Sequence, residues 1–188
     1  MIKKIVYNFP ILKHIYRTKG TAAPITLRCW FIQKILGFNK DAYWPTHHSS
    51  MISGVKNIKI GIGTAPGLSP GCYIQGGGKI FIGDYTIVAP NVGIISANHS
   101  LYDYTKHESK EVYIGRYCWI GMNSVIMPGV VLGDHTIVAA GAIVTKKFEE
   151  GYCVLAGNPA KIIKLIDKKM CVEKTNIYQY RGYIYCGE

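Results

Sequence analysis

The most regular feature of the sequence is an aliphatic residue that returns at about every sixth position through the centre of the chain. These positions are Ile62, Leu68, Ile74, Ile82, Val88 and Ile94 before an interruption of fourteen residues, and Ile114, Ile120, Ile126, Leu132, Val138 and Val144 after it. A mostly small residue, such as Cys72 or Cys118, follows four positions later. An α-helix has a period of 3.6 residues and a half-buried strand a period of 2, so the pattern predicts neither of these.

A period of six has a simple mechanical meaning. Three short strands and three turns, eighteen residues in all, form one coil of a triangular prism. The aliphatic residue fills the interior and the small residue fits the tight corner, while glycine and the polar residues beside it suit the turns. Repeats of this kind stack into one continuous core. The pattern therefore predicts a mainly β domain of stacked coils.

The two flanks have a different composition. Residues 25–36 (ITLRCWFIQKIL) predict a helix that ends at Gly37. Asn158 and Pro159 predict the start of a second helix, with Ile162, Ile163 and Ile166 packed on the open end of the prism. We therefore divide the chain into a basic N-terminal helical segment (1–53), a β-helix (54–157) with a loop at 100–113, and a C-terminal capping helix and tail (158–188).

The chain is basic, and its charge is unevenly distributed. The net charge is +11, and residues 1–60 hold ten Lys or Arg and one acid, Asp41. Basic ends can bind nucleic acid, an anionic membrane or a phosphorylated ligand, and charge alone does not choose among them.

No apolar run reaches the roughly 18 residues of a membrane span, and the N-terminus has no convincing signal peptide. The six cysteines contain no C-x-x-C pair. We expect a cytoplasmic protein with reduced thiols.

Over residues 54–165 the repeats resemble the hexapeptide-repeat acyltransferases, and they are most similar to galactoside and maltose acetyltransferases and to the sugar O-acetyltransferases of bacterial polysaccharide loci. The resemblance implies a left-handed parallel β-helix. It also implies an acetyl-CoA-dependent O-acetyltransferase that modifies a sugar hydroxyl in surface-polysaccharide synthesis. Family members form homotrimers with active sites between subunits. No metal and no nucleic-acid partner are expected.

His99 is the last residue before the interruption. We treat the other histidines, including His107 and His135, as surface residues or turn fillers. Imidazole can accept a proton from a hydroxyl near neutral pH, and the resemblance implies that His99 is the general base. The polar, aromatic loop that follows could wall a cleft, with candidate acceptor contacts at Asn98, Tyr102 and Asp103. A structural role for Asn98 at a tight corner is an equal alternative.

Two further motifs, AAGAIVTK and AGNPAKIIK, are similar to the coenzyme A region of the family. By that resemblance, the backbone at Met122 and around Ala140 holds the pantetheine amides and Trp119 packs against the thioester arm. The remaining implied contacts are cationic or polar and lie further along the cofactor: Thr145, Lys146, Lys161 and Lys164.

The acceptor side departs from the family pattern. Galactoside and maltose acetyltransferases place an acceptor-binding Asn and Asp at positions that align with Ser69 and Gly77. The resemblance therefore does not identify the acceptor. An N-acetyltransferase of amino-sugar nucleotides, a β-helix metalloenzyme and a non-catalytic scaffold remain as alternatives, although no H-x4-H pair of zinc ligands is present.

Two features upstream of the repeats remain open. The segment YWPTHHSS (43–50) is expected to stack beneath the first coil and not to bind metal. The basic N-terminal segment either rests on an anionic membrane or packs on the trimer.

Overall fold

The structure, a computed structural model, describes residues 10–188. Its centre is a prism whose three faces are β-sheets. The first face contains β1 (Met51–Ser53), β3 (Tyr73–Gln75), β6 (Gly93–Ile95), β11 (Val125–Ile126) and β14 (Ile143–Val144). The second face contains β2 (Ile58–Ile60), β4 (Ile80–Ile82), β9 (Val112–Ile114) and β12 (Val131–Leu132). The third face contains β5 (Ile87–Val88), β10 (Trp119–Ile120), β13 (Ile137–Val138), β15 (Cys153–Gly157) and β16 (Ala160–Leu165). All pairings within these faces are parallel except β15 with β16.

The pairing of residues between neighbouring strands gives the number of residues in each coil. Val125 of β11 pairs with Ile143 of β14, eighteen residues later, which is the length predicted for a regular coil. Ile80 of β4 pairs with Val112 of β9, thirty-two residues later. The difference is the fourteen-residue interruption, which is therefore an insertion into a coil that is otherwise continuous.

The interior contains the predicted aliphatic residues. From Ile74 onward every one of them is at most 6% exposed. The small positions Cys72, Thr86, Val92, Cys118, Ser124, Val130, Thr136 and Ala142 are also buried. Burial of a branched aliphatic side chain contributes about 1.5–3 kcal/mol, so the stacked rows supply most of the stabilisation of the prism.

The predicted register is wrong in the first coil. Ile62 and Leu68 are only half-buried, and the inward residue is Ile60, which pairs with Ile82. These two residues lie twenty-two positions apart, four more than in a regular coil. Because the extra residues fall among several glycines and prolines, counting back in sixes from Ile74 misplaces the interior positions.

In the described part of the chain, two helices precede the prism. They are α1 (Pro10–Thr18) and α2 (Leu27–Lys34), and α2 falls within the predicted helix 25–36. The side chain of Thr26 caps α2 by accepting a hydrogen bond from the Cys29 amide at 3.1 Å. Trp44 is fully buried, and its Nε1 donates to the Pro66 carbonyl at 2.7 Å. The segment 43–50 thus stacks on the first coil, as predicted. Within residues 10–188 no helix has the length and apolarity needed to cross a membrane.

The predicted C-terminal helix is wrong. Residues 160–165 form β16, which pairs antiparallel with β15. The third face would otherwise end in the unpaired edge of β15, and a β-branched pair, Ile162–Ile163, suits a strand better than a helix. Asn158 and Pro159 form the connecting turn. Ile162 and Ile163 are exposed and do not close the prism.

The tail returns along the prism to the N-terminal end. Its last part is a hairpin of β17 (Gln179–Arg181) and β18 (Ile184–Gly187). The Gly63 amide donates to the Tyr180 carbonyl at 2.8 Å, and the Tyr183 hydroxyl bonds Oε1 of the buried Gln33 at 2.7 Å. The tail therefore links the helical cap to the first coil.

Between its two ends the tail passes a column of stacked rings at one edge of the prism. Neighbouring ring centroids in this column are 5.0 to 5.3 Å apart, and the rings belong to Tyr85, Tyr117, His135 and Tyr152. All four residues have a positive φ, as expected at the turns. His135 is therefore a turn residue, as predicted. Glu173 of the tail lies 3.5 Å from its Nε2.

Candidate active site

The interruption folds into a hairpin. Its strands are β7 (Ala97–His99) and β8 (His107–Ser109), paired antiparallel. The Lys110 amide donates to the Ser96 carbonyl at 2.9 Å, which closes the base of the hairpin where the chain leaves and rejoins the coil. The excursion therefore begins before the predicted loop 100–113, and residues 112 and 113 have already rejoined the second face. Cross-strand pairing starts as soon as the chain leaves the first face, which explains the shift.

His99 is exposed on the first strand of this hairpin. Its Nδ1 lies 2.5 Å from the carbonyl oxygen of Tyr104. A carbonyl can only accept a hydrogen bond, so Nδ1 carries the proton and the neutral ring presents a free lone pair at Nε2. This is the tautomer that a general base requires.

A second histidine lies beside it. His107 pairs with His99 across the hairpin, and the two ring centroids are 4.4 Å apart. We had treated His107 as a surface residue, and sequence alone gives no reason to pair it with His99. The pairing depends on the length of the turn, which only the folded hairpin shows.

The three candidate acceptor residues lie on the same hairpin. Asn98 is exposed, so it does not occupy a tight corner, and the buried residue where the chain leaves the coil is Ser96. Tyr102 is 97% exposed. The Asp103 carboxylate accepts hydrogen bonds from the hydroxyl and amide of Thr105 and pairs with Lys106 at 3.1 Å. These contacts hold the pKa of Asp103 below its usual value.

The residues expected to hold the thioester arm lie on another part of the prism. Trp119 faces outward from the third face and is 54% exposed. Met122 and Ala140 lie at equivalent positions of successive coils, at the edge between the third and first faces, and both are exposed. The Met122 carbonyl accepts a hydrogen bond from the Gly141 amide at 2.8 Å.

Thr145 and Lys146 lie at a different edge. They follow β14 directly, where the chain turns from the first face to the second, which is also the edge that carries the hairpin. Both side chains are exposed, and Lys146 Nζ lies 5.6 Å from the ring centroid of Phe148.

Lys161 and Lys164 are brought to the third face by β16. Lys164 pairs with Val154 and Lys161 with Ala156, and these partners point outward. Trp119, Ile137, Val154 and Lys164 thus form one outward row across neighbouring strands. Three strand spacings separate Trp119 from Lys164, about 14 Å. The row offers an aromatic and aliphatic surface with cations at one end.

Known proteins support this description of the fold. Residues 111–146 match the family model of the bacterial transferase hexapeptide (six repeats). In this region the chain is similar to the hexapeptide-repeat transferases. Over 109 residues it is 36% identical to the galactoside O-acetyltransferase of Escherichia coli K12, which covers 55% of this chain and 50% of that protein. The chain spans about half to three fifths of the length of the curated relatives that it matches.

Solved structures show the same fold. A galactoside acetyltransferase in complex with coenzyme A matches with 30% identity and a TM-score of 0.60, over 67% of this chain and 63% of that one. A maltose O-acetyltransferase from Clostridium difficile 630 matches with 24% identity and a TM-score of 0.61, over 87% of this chain and 91% of that one. The hexapeptide-repeat chain is therefore a left-handed parallel β-helix, as the resemblance implied.

The two positions at which this hexapeptide-repeat protein departs from its relatives have structural roles. The Ser69 hydroxyl donates to the Val88 carbonyl at 2.7 Å and so belongs to the coil. Gly77 lies against the base of the hairpin, where a Cβ would come within 2.6 Å of the Ala97 Cβ. No larger residue fits at 77 unless the hairpin moves.

The cysteines of the repeats are packing residues. Cys72 and Cys118 are buried, and burial raises both pKa values, that of Cys118 to about 12. A thiol with so high a pKa is almost entirely protonated at neutral pH and is a poor nucleophile. The interpretation of both residues as packed thiols is confirmed.

Potential metal ligands do not converge in the described part of the hexapeptide-repeat protein. Residues 10–188 contain no group of three or more His, Cys, Asp or Glu side chains that could hold a metal ion. The adjacent His47 and His48 have ring centroids 4.1 Å apart, and His47 Nδ1 bonds the Ser49 hydroxyl at 2.7 Å. Partial burial, then His48 and Arg28, lower the pKa of His47.

Proposed function

We propose that this protein transfers an acetyl group from acetyl-CoA to a sugar hydroxyl, with His99 as the general base. The observation that carries the proposal is the hydrogen bond from His99 Nδ1 to the Tyr104 carbonyl, since it leaves Nε2 as a proton acceptor at an exposed edge. The similarity to a galactoside acetyltransferase with bound coenzyme A supports the same chemistry.

The reaction would follow the ordinary course of acyl transfer. Nε2 of His99 removes the hydroxyl proton while the oxygen attacks the thioester carbonyl carbon. The C–S bond then breaks, and the imidazolium returns the proton to the departing thiolate. General base catalysis of this kind contributes about 10²–10⁴-fold, roughly 3–5 kcal/mol of the barrier.

The third face fits the donor. Coenzyme A is long and polyanionic, and the row from Trp119 to Lys164 is long, apolar along its length and cationic at its end. The backbone around the exposed residue Ala140 would bind the pantetheine amides. Lys161 and Lys164 would meet the nucleotide phosphates as point charges. Bound acetyl-CoA would supply an activated acyl thioester.

The site would need two copies of the chain. The hairpin with His99 and the residues Thr145 and Lys146 lie at the edge between the first and second faces, whereas Trp119, Met122 and Ala140 lie on or beside the third. We propose a homotrimer in which the hairpin of one subunit meets the third face of its neighbour. A closed threefold ring would also cover the apolar outward residues of the faces.

The acceptor would be a sugar within a surface polysaccharide, not a simple galactoside or maltose. The Ser69 hydroxyl already donates to the Val88 carbonyl, and Gly77 has neither a polar side chain nor room for one. The exposed hairpin residues Asn98 and Tyr102 would contact the glycan instead. We place the reaction in the cytoplasm, where acetyl-CoA is available and where the six unpaired thiols are stable.

An acceptor panel tests the proposal. The wild-type protein and His99→Ala would be incubated with acetyl-CoA and with neutral glycans or nucleotide-linked amino sugars, and products would be detected by mass spectrometry. We expect O-acetylated glycan from the wild type and a loss of about 10²–10⁴-fold in His99→Ala. Ser109→Ala, at an exposed position of β8, is the matched control for folding of the hairpin.

Three results would contradict the proposal. Turnover of folded His99→Ala near the wild-type rate would remove the role of the base. Acetylation of the amino sugars alone would make the protein an N-acetyltransferase. Failure of the wild type to bind coenzyme A would favour a scaffold.

A further inference from the structure

The helix α2 has two faces of different character. Its inner face packs on the segment 39–47 through polar contacts. Gln33 is buried, and its Nε2 donates to the carbonyls of Asn39, Ala42 and Trp44 at 3.1, 3.2 and 2.9 Å. The Cys29 thiol donates to the Thr46 carbonyl at 3.2 Å. These contacts fix the rotation of α2 about its axis.

The outer face is apolar. Leu27, Phe31 and Ile35 follow one another at intervals of four residues and are 55%, 47% and 57% exposed. Each lies two positions from a member of the inner series Ile25, Cys29 and Gln33, a rotation of about 200° around a helix. The apolar stripe therefore points directly away from the protein. Leu36 and Phe38 are also exposed and extend it beyond the end of the helix.

Cations lie beside the stripe. Arg28 lies about 60° from its centre line by helical geometry, while the Lys34 ammonium on the other side is directed inward and donates to the carbonyls of Lys40 and Ala42 at 2.7 and 2.8 Å. Lys40 is exposed just beyond the helix. Residues 10–60 hold eight Lys or Arg and a single acid, Asp41. An apolar stripe with a basic border is typical of helices that lie in the interface of a membrane.

We propose that the outer face of α2 docks on an anionic lipid surface. Leu27, Phe31 and Ile35 enter the boundary between headgroups and acyl chains, and the bordering cations meet the lipid phosphates. A second copy of the chain would fit this face less well. It would place two sets of the same cations against each other, and each copy has only one acid in this segment to offset them. The proposal does not depend on the acetyl-transfer chemistry.

Vesicle flotation tests this inference with the full-length protein. The vesicles contain phosphatidylcholine alone or mixed with phosphatidylglycerol, at low and at high salt. We expect the wild type to float with the anionic vesicles and to bind neutral vesicles or high-salt samples at least about tenfold less. The variant Leu27→Gln/Phe31→Gln/Ile35→Gln should lose binding to anionic vesicles by at least about tenfold.

A control removes three apolar side chains elsewhere that are more exposed than those of the stripe. Met170→Gln/Val172→Gln/Ile177→Gln changes three residues of the tail that are 77%, 80% and 79% exposed, and it should bind like the wild type. Arg28→Gln/Lys40→Gln should weaken binding to anionic vesicles only.

Three outcomes would overturn the proposal. The first is a wild type that does not float, and the second is a stripe variant that floats as well as the wild type. The third is a stripe variant whose assembly mass falls while its vesicle binding is unchanged, which would identify the stripe as a contact between copies. Circular dichroism shows that each variant is folded.

Discussion

At the scale of single residues, the orientation of one imidazole decides what the hairpin can do. His99 donates through Nδ1 to a carbonyl of its own hairpin, so the tautomer is set locally and does not depend on the substrate. Its position depends in turn on Gly77, which leaves room for Ala97 where the hairpin begins. A base must lie close to the proton it removes, and a misplacement of about 1 Å can cost about 10²-fold in rate.

The variant Gly77→Ala tests this dependence. The new Cβ would lie 2.6 Å from the Ala97 Cβ, so the base of the hairpin must shift. We expect kcat to fall about ten- to hundredfold, and stability to fall by about 1–3 kcal/mol because of the overpacking. Steady-state kinetics and thermal unfolding measure the two effects.

The rescue variant Gly77→Ala/Ala97→Gly removes the collision and should recover most of the activity, while Ala97→Gly alone serves as the control. If Gly77→Ala keeps the wild-type kcat, the hairpin does not rely on this contact.

At the scale of elements, the strand β16 places the cations. Because it pairs antiparallel with β15, Lys161 and Lys164 project from the same side of the third face as Trp119. A helix at these residues would not have paired with β15, so it would not have continued the row. The pairing thus extends the third face and adds charge to its end.

Charge reversal tests the role of β16. Lys161→Glu/Lys164→Glu should raise the KM for acetyl-CoA at least about tenfold with little change in kcat, because the phosphates lie far from the bond that reacts. The measurement is initial rate against acetyl-CoA concentration.

Lys169→Glu/Lys174→Glu, an equal change of charge in the exposed tail, is the control. An equal rise in KM for both variants would mean that only the overall charge attracts the donor.

At the scale of the whole molecule, the proposed base and the proposed donor surface lie apart on one chain. They lie on different parts of one rigid prism, and the core of buried aliphatic residues leaves no hinge between them. The tail adds to this rigidity, since it runs back along the stacked rings to the helical cap. The proposed homotrimer would bring the two halves together by placing the hairpin of one copy against the third face of the next.

Mixed assemblies test this arrangement. At an acetyl-CoA concentration well below KM, His99→Ala should be nearly inactive because it lacks the base, and Trp119→Ala/Lys164→Glu should turn over little because it binds the donor weakly. Co-expressed chains should regain activity under the same conditions. If subunits mix at random in a closed ring, about one quarter of the sites combine an intact hairpin with an intact third face. We expect about a quarter of the wild-type rate per site from the equimolar mixture. No recovery from chains shown to co-assemble would place each complete site within one chain.

The sequence by itself determined the prism, its interior and its break, because a period of six restricts which side chains can point inward in every coil. It also indicated His99, which lies where that period stops. Tertiary structure decided the remainder. Strand pairing with the second coil sets the register of the first coil. The inward residue there is therefore Ile60 and not Ile62, which the count of six predicted. The free edge of β15 recruits residues 160–165 as a strand, although Asn158–Pro159 is a good start for a helix. The partner of His99 depends on the length of a turn, so His107 could not be identified in advance. Each of these follows from hydrogen bonds between segments far apart or folded back on each other, which a local pattern does not contain.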